Sequence, residues 1–167
     1  MIALHDGRPE AGEARRLGRA LRRLAREARR APAEAPLLRD ALQEGVEALL
    51  LHAAETGGPA PGPEALGVDA EEYLLGVGDL VGEIRRRALR ALVRGDLAGA
   101  EASVRSMEGL YQTLMRFDTS RAIVPLKPKQ DAARSLLERT RADVVLARVH
   151  ARYRAGPAAM DPPAEGP

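Results

Sequence analysis

Apolar residues recur every three or four positions along most of this chain, the spacing that places side chains on one face of an α-helix. The clearest case runs from about residue 10 to residue 30, where one stripe contains Leu17, Leu21, Leu24 and Ala28. A second stripe, in the middle of the chain, contains Leu74, Val77, Val81, Ile84 and Ala88. This spacing predicts helices packed on one another, and therefore an all-α fold.

Helix-breaking residues divide the pattern into five main helices. The segment from Thr56 to Pro63 is a loop rich in glycine and proline, Gly95-Asp96 closes one helix and caps the next, and Pro125 and Pro128 mark a later connection. The predicted helices span about residues 10–30, 35–55, 69–94, 97–117 and 129–154.

The third of these helices opens at Asp69, a good N-cap residue with Glu72 three positions later. Short extra turns are expected around Glu64 and Thr119. Together these elements predict an antiparallel helical bundle of about five to seven helices.

Composition supports one helical domain and excludes several classes of protein. Ala, Leu, Arg and Glu dominate, and aromatic residues make up only 2% of the 167 residues. The chain has no cysteine. Because it shows neither a long apolar stretch nor a basic-then-apolar start at Met1, we expect neither a membrane span nor a signal peptide. We expect a cytoplasmic protein with no membrane contact, with a helical domain over residues 1–155 and a disordered Pro/Gly-rich tail over residues 156–167.

Two acidic motifs carry the candidate chemistry. Glu44 and Glu47 are spaced i,i+3 in one predicted helix, and Asp79 and Glu83 are spaced i,i+4 in another, so each pair projects from a single helix face. Packed face to face, the two pairs would form a four-carboxylate cage. Because like charges repel and carboxylate oxygens are hard ligands, the pattern predicts Mg²⁺ or Mn²⁺ as the cation.

The predicted helix that carries Asp79 and Glu83 also contains three glycines, Gly76, Gly78 and Gly82, which indicate a close helix contact. Each costs roughly 0.5–1 kcal/mol relative to alanine in a helix interior, so a close approach of another backbone is the expected compensation. The Gly78-x-x-x-Gly82 spacing is the one that admits a neighbouring helix. If that neighbour carries Glu44 and Glu47, the four acids face one another.

The alternative is that these acids are ordinary surface residues. On charge spacing alone, Glu83 would pair with Arg87 at i,i+4 and Asp79 would remain in water. Against this alternative, the acids flank the apolar stripe at the rim of a helix contact, where a wet, metal-loaded site can exist.

Any nucleic-acid footprint must be local, because the formal net charge is only +2. Five arginines lie opposite the apolar stripe of the first helix; they are Arg15, Arg19, Arg22, Arg26 and Arg29. They form either a solvated face or a ridge that binds phosphates, for which Arg19, Arg22 and Arg26 are the candidates. Arg86 and Arg87 are a second candidate pair, with a solvated Arg85–Arg87 run as the equal alternative.

The three histidines share no ligand spacing. His52 lies five residues beyond Glu47 and falls off the acidic face, so we assign it a structural role. His5 and His150 receive no assignment.

The acidic motifs resemble those of a known family. The run from Glu72 to Glu83, followed by Arg86 and by Arg94-Gly95-Asp96, resembles the signature of the translin family, and the run from Gln43 to Ala48 resembles its second-helix acidic motif. Shorter matches lie at Leu110-Tyr111 and Lys129-Gln130-Asp131. The resemblance covers most of the chain.

Within that family the chain is most similar to the translin-associated factor X branch, because Glu44, Glu47, Asp79 and Glu83 fall on acidic positions of its catalytic set. The resemblance implies a metal-dependent endoribonuclease that acts on single-stranded RNA, with single-stranded DNA as a further ligand. It also implies a homo-oligomer, which is an octamer in relatives. The resemblance further implies a long first helix before the equivalent of Ile2-Ala3-Leu4-His5, near the end of which this chain begins. In relatives those turns help to build the oligomer.

Two other functions remain open at this point. One is a non-catalytic oligomer of the translin type that binds single-stranded RNA or DNA. The other is an all-α nucleoside triphosphate pyrophosphohydrolase, whose sites also place Glu-x-x-Glu opposite a second acidic helix around Mg²⁺. The glycine pattern favours the translin resemblance over the latter.

Overall fold

The computed structural model describes residues 11–117 and 126–155, and these ranges contain six α-helices and no β-strand. The helices are α1 (Ala11–Arg30), α2 (Ala35–Thr56), α3 (Pro63–Leu66), α4 (Ala70–Val93), α5 (Leu97–Met115) and α6 (Leu126–Ala155). The all-α prediction is confirmed, and the extra turn predicted near Glu64 is α3. The turn predicted near Thr119, His5 and the predicted tail at 156–167 lie outside the described residues.

Glycine and aspartate end and start the helices much as their conformational preferences dictate. Gly57 follows α2 in the left-handed conformation, with φ of +69°, and its N–H donates to Ala53 O. Gly95 has φ of +73° after α4, and the carboxylate of Asp96 accepts from the N–H of Gly99 at 2.8 Å to cap α5. The prediction that Gly95-Asp96 closes one helix and caps the next is confirmed.

One predicted helix cap and one predicted helix boundary differ from the structure. Asp69 stands at the N-cap position of α4, but its side chain makes no capping hydrogen bond because its Oδ1 accepts from Arg29 at 2.8 Å instead. The last helix begins at Leu126 rather than Lys129, with Pro128 in its first turn. A proline is tolerated there because the first N–H groups of a helix have no intrahelical acceptor.

Helix α4 is the centre of the bundle and packs against α2, α5 and α6, whereas α1 packs on α2 and α3. The stripe predicted for α4 is buried along its length, with Val81 and Ala88 both 0% exposed. Val46 of α2 and Met107 of α5 complete this core at the same level of burial. No helix of the described ranges is long and apolar enough to cross a membrane.

Helices α2 and α4 run in the same direction, because the connection over residues 57–69 carries the chain back along the bundle. Successive contacts show this: Gln43 of α2 lies beside Asp79 of α4, and further along both helices Ala54 lies beside Arg87. The register places the i,i+4 pair Gln43 and Glu47 alongside the i,i+4 pair Asp79 and Glu83. This direction is what brings the two acidic motifs together.

Candidate functional site

Gly76 allows α2 to pack directly on the backbone of α4. A Cβ atom at Gly76 would lie 2.9 Å from the carbonyl oxygen of Gln43 and 2.8 Å from Cγ1 of Val46. A Cβ at Gly82, by contrast, would meet no atom of the described residues within 4 Å. The close contact predicted at Gly78-x-x-x-Gly82 therefore does not involve the second helix; Gly76 makes the contact with α2.

Gly78 serves a different neighbour, the first turn of α6. A Cβ at Gly78 would lie 2.9 Å from Cβ and 3.2 Å from Cγ of Lys129. The missing side chain leaves room for the aliphatic stem of Lys129 against α4. The lysine then reaches Asp79, the residue that follows Gly78.

Asp79 is held from two sides. Lys129 Nζ donates to its Oδ1, and Gln43 Nε2 donates to its Oδ2. The side chains of Lys129 and Asp79 are 29% and 30% exposed. The alternative in which Asp79 stays in water is therefore wrong, and one carboxylate links α2, α4 and α6.

Glu83 forms its ion pair one position earlier than spacing predicts. Its Oε1 lies 2.6 Å from Arg86 Nη1, at i,i+3. Arg87, the partner predicted for it, instead donates to the carbonyl of Ala54 at 3.3 Å, because that carbonyl lies near the end of the neighbouring helix α2.

Arg85 to Arg87 do not form a solvated run. Arg85 is half-buried and donates to Thr140 Oγ1 at 2.6 Å, with Asp143 Oδ2 at 3.1 Å, so it ties α4 to α6. Of the three arginines, Arg86 keeps the most accessible position, with 71% of its side chain exposed beside Glu83.

Glu47 lies in surroundings that disfavour its charged form. Burial raises its pKa most, and the charges of Asp79 and Glu83 raise it further; the cationic groups of Arg86 and Lys129 offset part of this shift. Within residues 11–117 and 126–155, Glu47 makes no side-chain hydrogen bond or ion pair. Three carboxylates therefore converge here on two cationic side chains.

Glu44 does not join this group in the same way, since it is exposed. Among the described residues, no three His, Cys, Asp or Glu side chains lie close enough to one another to hold a metal ion. The donor chemistry of Glu47, Asp79 and Glu83 nevertheless fits a hard divalent cation, and Asp79 already accepts from the ammonium of Lys129. The closed four-carboxylate cage is not present as the side chains stand.

The arginines predicted on α1 lie on a helix that packs against α2 and α3. Arg19 and Arg26 are exposed, whereas Arg22 donates to the carbonyl of Ala65 at 3.3 Å and supports α3. His52 and His150 lie apart from the carboxylates; His52 is half-buried and His150 is exposed.

Sequence reasoning did not single out Gln43 and Lys129 as site residues. A usable signal existed for each. Gln43 precedes Glu47 by four residues and therefore shares a helix face with it more closely than Glu44 does. Lys129 is one of only two lysines in a chain whose other cations are arginines.

Comparisons with known proteins agree with this architecture. Residues 34–144 match the model of the Translin family. An uncharacterised protein from Methanocaldococcus jannaschii is 39% identical over 104 residues, which cover 62% of this chain and 47% of that protein. The chain thus spans about half the length of this curated relative.

Two solved structures share the fold. The crystal structure of AfC3PO has a TM-score of 0.73 and 34% identity, covering 83% of this chain and 74% of that one. The structure of an AfC3PO–duplex RNA complex has a TM-score of 0.68 and 36% identity, covering 75% and 67%. Since the family match spans the helices that build the carboxylate site, this protein belongs to the Translin family.

Proposed function

We propose that this protein is a metal-dependent endoribonuclease of the translin-associated factor X branch, acting on single-stranded RNA with Mg²⁺ or Mn²⁺. One observation carries the proposal: Glu47, Asp79 and Glu83 converge from α2 and α4 at a place where negative charge exceeds positive charge. Partly buried carboxylates in excess are the surroundings in which a divalent cation is bound.

Glu47, Asp79 and Glu83 would hold the cation, and Glu44 would complete the set from the exposed side. A bound cation would supply an activated water and stabilise charge on the reacting phosphate. Of Glu47 and Glu83, the two candidates for a general base, Glu47 has no ion-pair partner among the described residues and would be the freer to accept a proton when it is not bound to the cation. Glu83 is already paired with Arg86.

Arg86 would bind the RNA backbone. Its guanidinium is largely exposed and lies beside Glu83, so a phosphate bound there would be next to the carboxylates. Arg87, Arg19 and Arg26 would make further contacts with the phosphates of the RNA. With aromatic residues at 2% of the sequence, few bases can stack, so binding would depend on phosphates and weaken with salt. Single-stranded DNA would bind by the same contacts.

A second function is favoured by one observation, namely that no three acids of the described residues are grouped closely enough to hold a metal. In that case the protein is a non-catalytic RNA-binding oligomer of the translin type, and the ion pairs of Asp79 and Glu83 serve helix packing.

The two functions are separated by incubating labelled single-stranded RNA with the full chain in Mg²⁺, with EDTA as the metal-free control. The nuclease predicts Mg²⁺-dependent cleavage that Glu83→Ala abolishes and that Glu55→Ala, an exposed change on α2, leaves intact. Binding without cleavage by the wild type would establish the non-catalytic function. A duplex RNA of the same sequence, the type of ligand named in the AfC3PO complex, tests the strand preference.

We also propose that copies of this chain associate through the end of α6. Four large apolar side chains are exposed there, 55% to 83% of each being accessible; they are Val145, Leu146, Val149 and Tyr153. Exposed apolar side chains on one stretch of helix indicate a surface that another molecule covers. Light scattering would show an oligomer for the wild type and a smaller species for Leu146→Glu.

A further inference from the structure

Lys129 occupies the place in the carboxylate site where a cation is needed. Its ammonium donates to Asp79 Oδ1, and it is one of the two positive groups that oppose the upward shift of the Glu47 pKa. Because Gln43 donates to the other oxygen of Asp79, both oxygens of this carboxylate are engaged. Each oxygen keeps one further lone pair, so a metal ion is set against Lys129 by charge rather than by a lack of acceptor sites.

The lysine is built into this position rather than placed there by chance. Its stem passes so close to α4 that a Cβ atom at Gly78 would lie 2.9 Å from Lys129 Cβ. Real Cβ contacts are essentially never that short, so this approach requires glycine, although glycine weakens a helix interior. The side chain of Lys129 is 29% exposed, so its ammonium can reach solvent if it leaves Asp79.

The charges make Lys129 and a divalent cation alternatives. With Lys129 in place, three carboxylates face Lys129 and Arg86, and the remaining excess of negative charge is small. A divalent cation brought beside Lys129 would meet repulsion from two cationic groups, whereas the same cation in the place of Lys129 would meet three carboxylates and Arg86. Replacing Lys129 by the divalent cation therefore costs less free energy than binding the cation beside Lys129.

We propose that Lys129 is an internal counter-cation that holds Asp79 in the metal-free protein and is exchanged for the divalent cation, so that the two occupy Asp79 in alternation. This inference rests on the metal site of the proposed function and adds to it a device that keeps the empty site folded and lowers its affinity for metal. No separate metal site is involved.

Lys127 supplies a matched control. It is the only other lysine of the chain, lies two residues away on α6 and forms an exposed i,i+4 pair with Asp131 at 2.8 Å. Both lysines are therefore ion-paired to an aspartate, but only Lys129 lies in the carboxylate site.

The first test is amine-reactive labelling of the wild-type full chain, read at each lysine by tandem mass spectrometry, with and without Mn²⁺. We expect Lys129 to label slowly in EDTA and several times faster at saturating Mn²⁺, while Lys127 labels at one rate throughout. Equal concentrations of NaCl in place of MnCl₂ control for screening. No variant is needed, so a failure to fold cannot obscure the result.

The second test is Mn²⁺ binding by calorimetry to the wild type, Lys129→Met and Lys127→Met. Methionine keeps the length of the stem and removes the competing charge, so Lys129→Met should bind Mn²⁺ about fivefold more tightly, the size expected for a half-buried ion pair. Lys127→Met should match the wild type. A lysine that merely supports the fold would leave affinity unchanged or lower it.

The exchange is overturned if Mn²⁺ leaves the labelling of Lys129 unchanged while it binds, if Lys129→Met binds no more tightly than the wild type, or if neither protein binds Mn²⁺. The first two outcomes leave the nuclease proposal standing, whereas the absence of Mn²⁺ binding by both proteins would overturn the nuclease proposal as well. RNA cleavage with Lys129 still protected would refute the exchange alone, and exchange without cleavage would refute the nuclease alone.

Discussion

The two acidic motifs have nearly the same spacing but very different surroundings. On α4, Asp79 is bonded to Lys129 and Gln43, and Glu83 is paired with Arg86. On α2, Glu44 is exposed and Glu47 faces the α4 carboxylates with a raised pKa. One helix therefore contributes neutralised acids, and the other contributes the charge that remains uncompensated.

The difference arises from the register of two parallel helices. Gln43 lies beside Asp79, and one turn further along, Glu47 approaches Glu83. The first position combines an amide with a carboxylate, which can form a hydrogen bond; the second combines two carboxylates, which cannot unless one is protonated or a cation intervenes. The need for a cation is thus concentrated at Glu47.

The largest effect is expected in the rate of RNA cleavage, where Glu47 and Glu44 of α2 should differ. Glu47→Gln should lower the Mg²⁺-dependent rate by more than about 100-fold, beyond the loss usual for a residue that only supports a metal ligand, whereas Glu44→Gln should cost about tenfold or less. Single-turnover cleavage of labelled RNA measures both, with Glu55→Gln on α2 as the control. Equal losses for Glu44 and Glu47 would show that the two acids of α2 are equivalent.

The second-largest effect is expected at Gly76, whose contact with α2 sets the register of α2 against α4. Gly76→Ala places a methyl group 2.9 Å from the main-chain oxygen of Gln43, which cannot turn away as a side chain could. The free energy of unfolding should fall by about 1–3 kcal/mol, the usual cost of overpacking. Urea denaturation measures it, and an unchanged midpoint would mean that α2 does not approach α4 this closely.

Gly82→Ala is the matched change on the same helix, with the opposite sign. No atom of the described residues lies within 4 Å of the position that its Cβ would take. Alanine should therefore raise the free energy of unfolding by about 1 kcal/mol through helix propensity. Destabilisation in the same urea experiment would reveal a neighbour packed against Gly82.

The smallest effect concerns the charge of Glu47 in metal-free buffer. Because its pKa is raised from 4.5, the folded state binds this proton more tightly than the unfolded state. The stability that the group contributes is therefore complete below pH 4.5 and is lost as the pH rises through the raised pKa. Glu47→Gln should be more stable than the wild type by about 0.5 kcal/mol at pH 7, after allowance for solvent screening.

Melting temperatures measured in EDTA between pH 4 and pH 7 would show this advantage shrinking as the pH falls. If the difference in melting temperature between wild type and Glu47→Gln does not depend on pH, burial and the neighbouring carboxylates do not raise the pKa of Glu47.

Local rules predicted the helices of this protein because the signals are local. The apolar stripe of α4 and the Gly95-Asp96 junction need no knowledge of distant residues, and both are confirmed. Local rules place the start of α6 too late, because they treat Pro128 as a helix breaker although the first turn of a helix accepts proline.

The partners of the acids were predicted less well, since they come from other helices. Spacing assigned Arg87 to Glu83, but Arg87 is drawn to a carbonyl at the end of α2. Spacing also left Asp79 in water, because nothing near it in sequence reveals Lys129, fifty residues further along the chain. The direction of α2 relative to α4 depends on the path of residues 57–69, and helix periodicity carries no information about it.

The most direct test of the central claim is a crystal of the full chain soaked in Mn²⁺ and measured for anomalous scattering. We expect a peak bonded to carboxylate oxygens of Glu47, Asp79 and Glu83, with the ammonium of Lys129 moved away from Asp79. A soak that leaves Lys129 on Asp79, with no anomalous peak among these three carboxylates, would contradict both the metal site and the nuclease built on it.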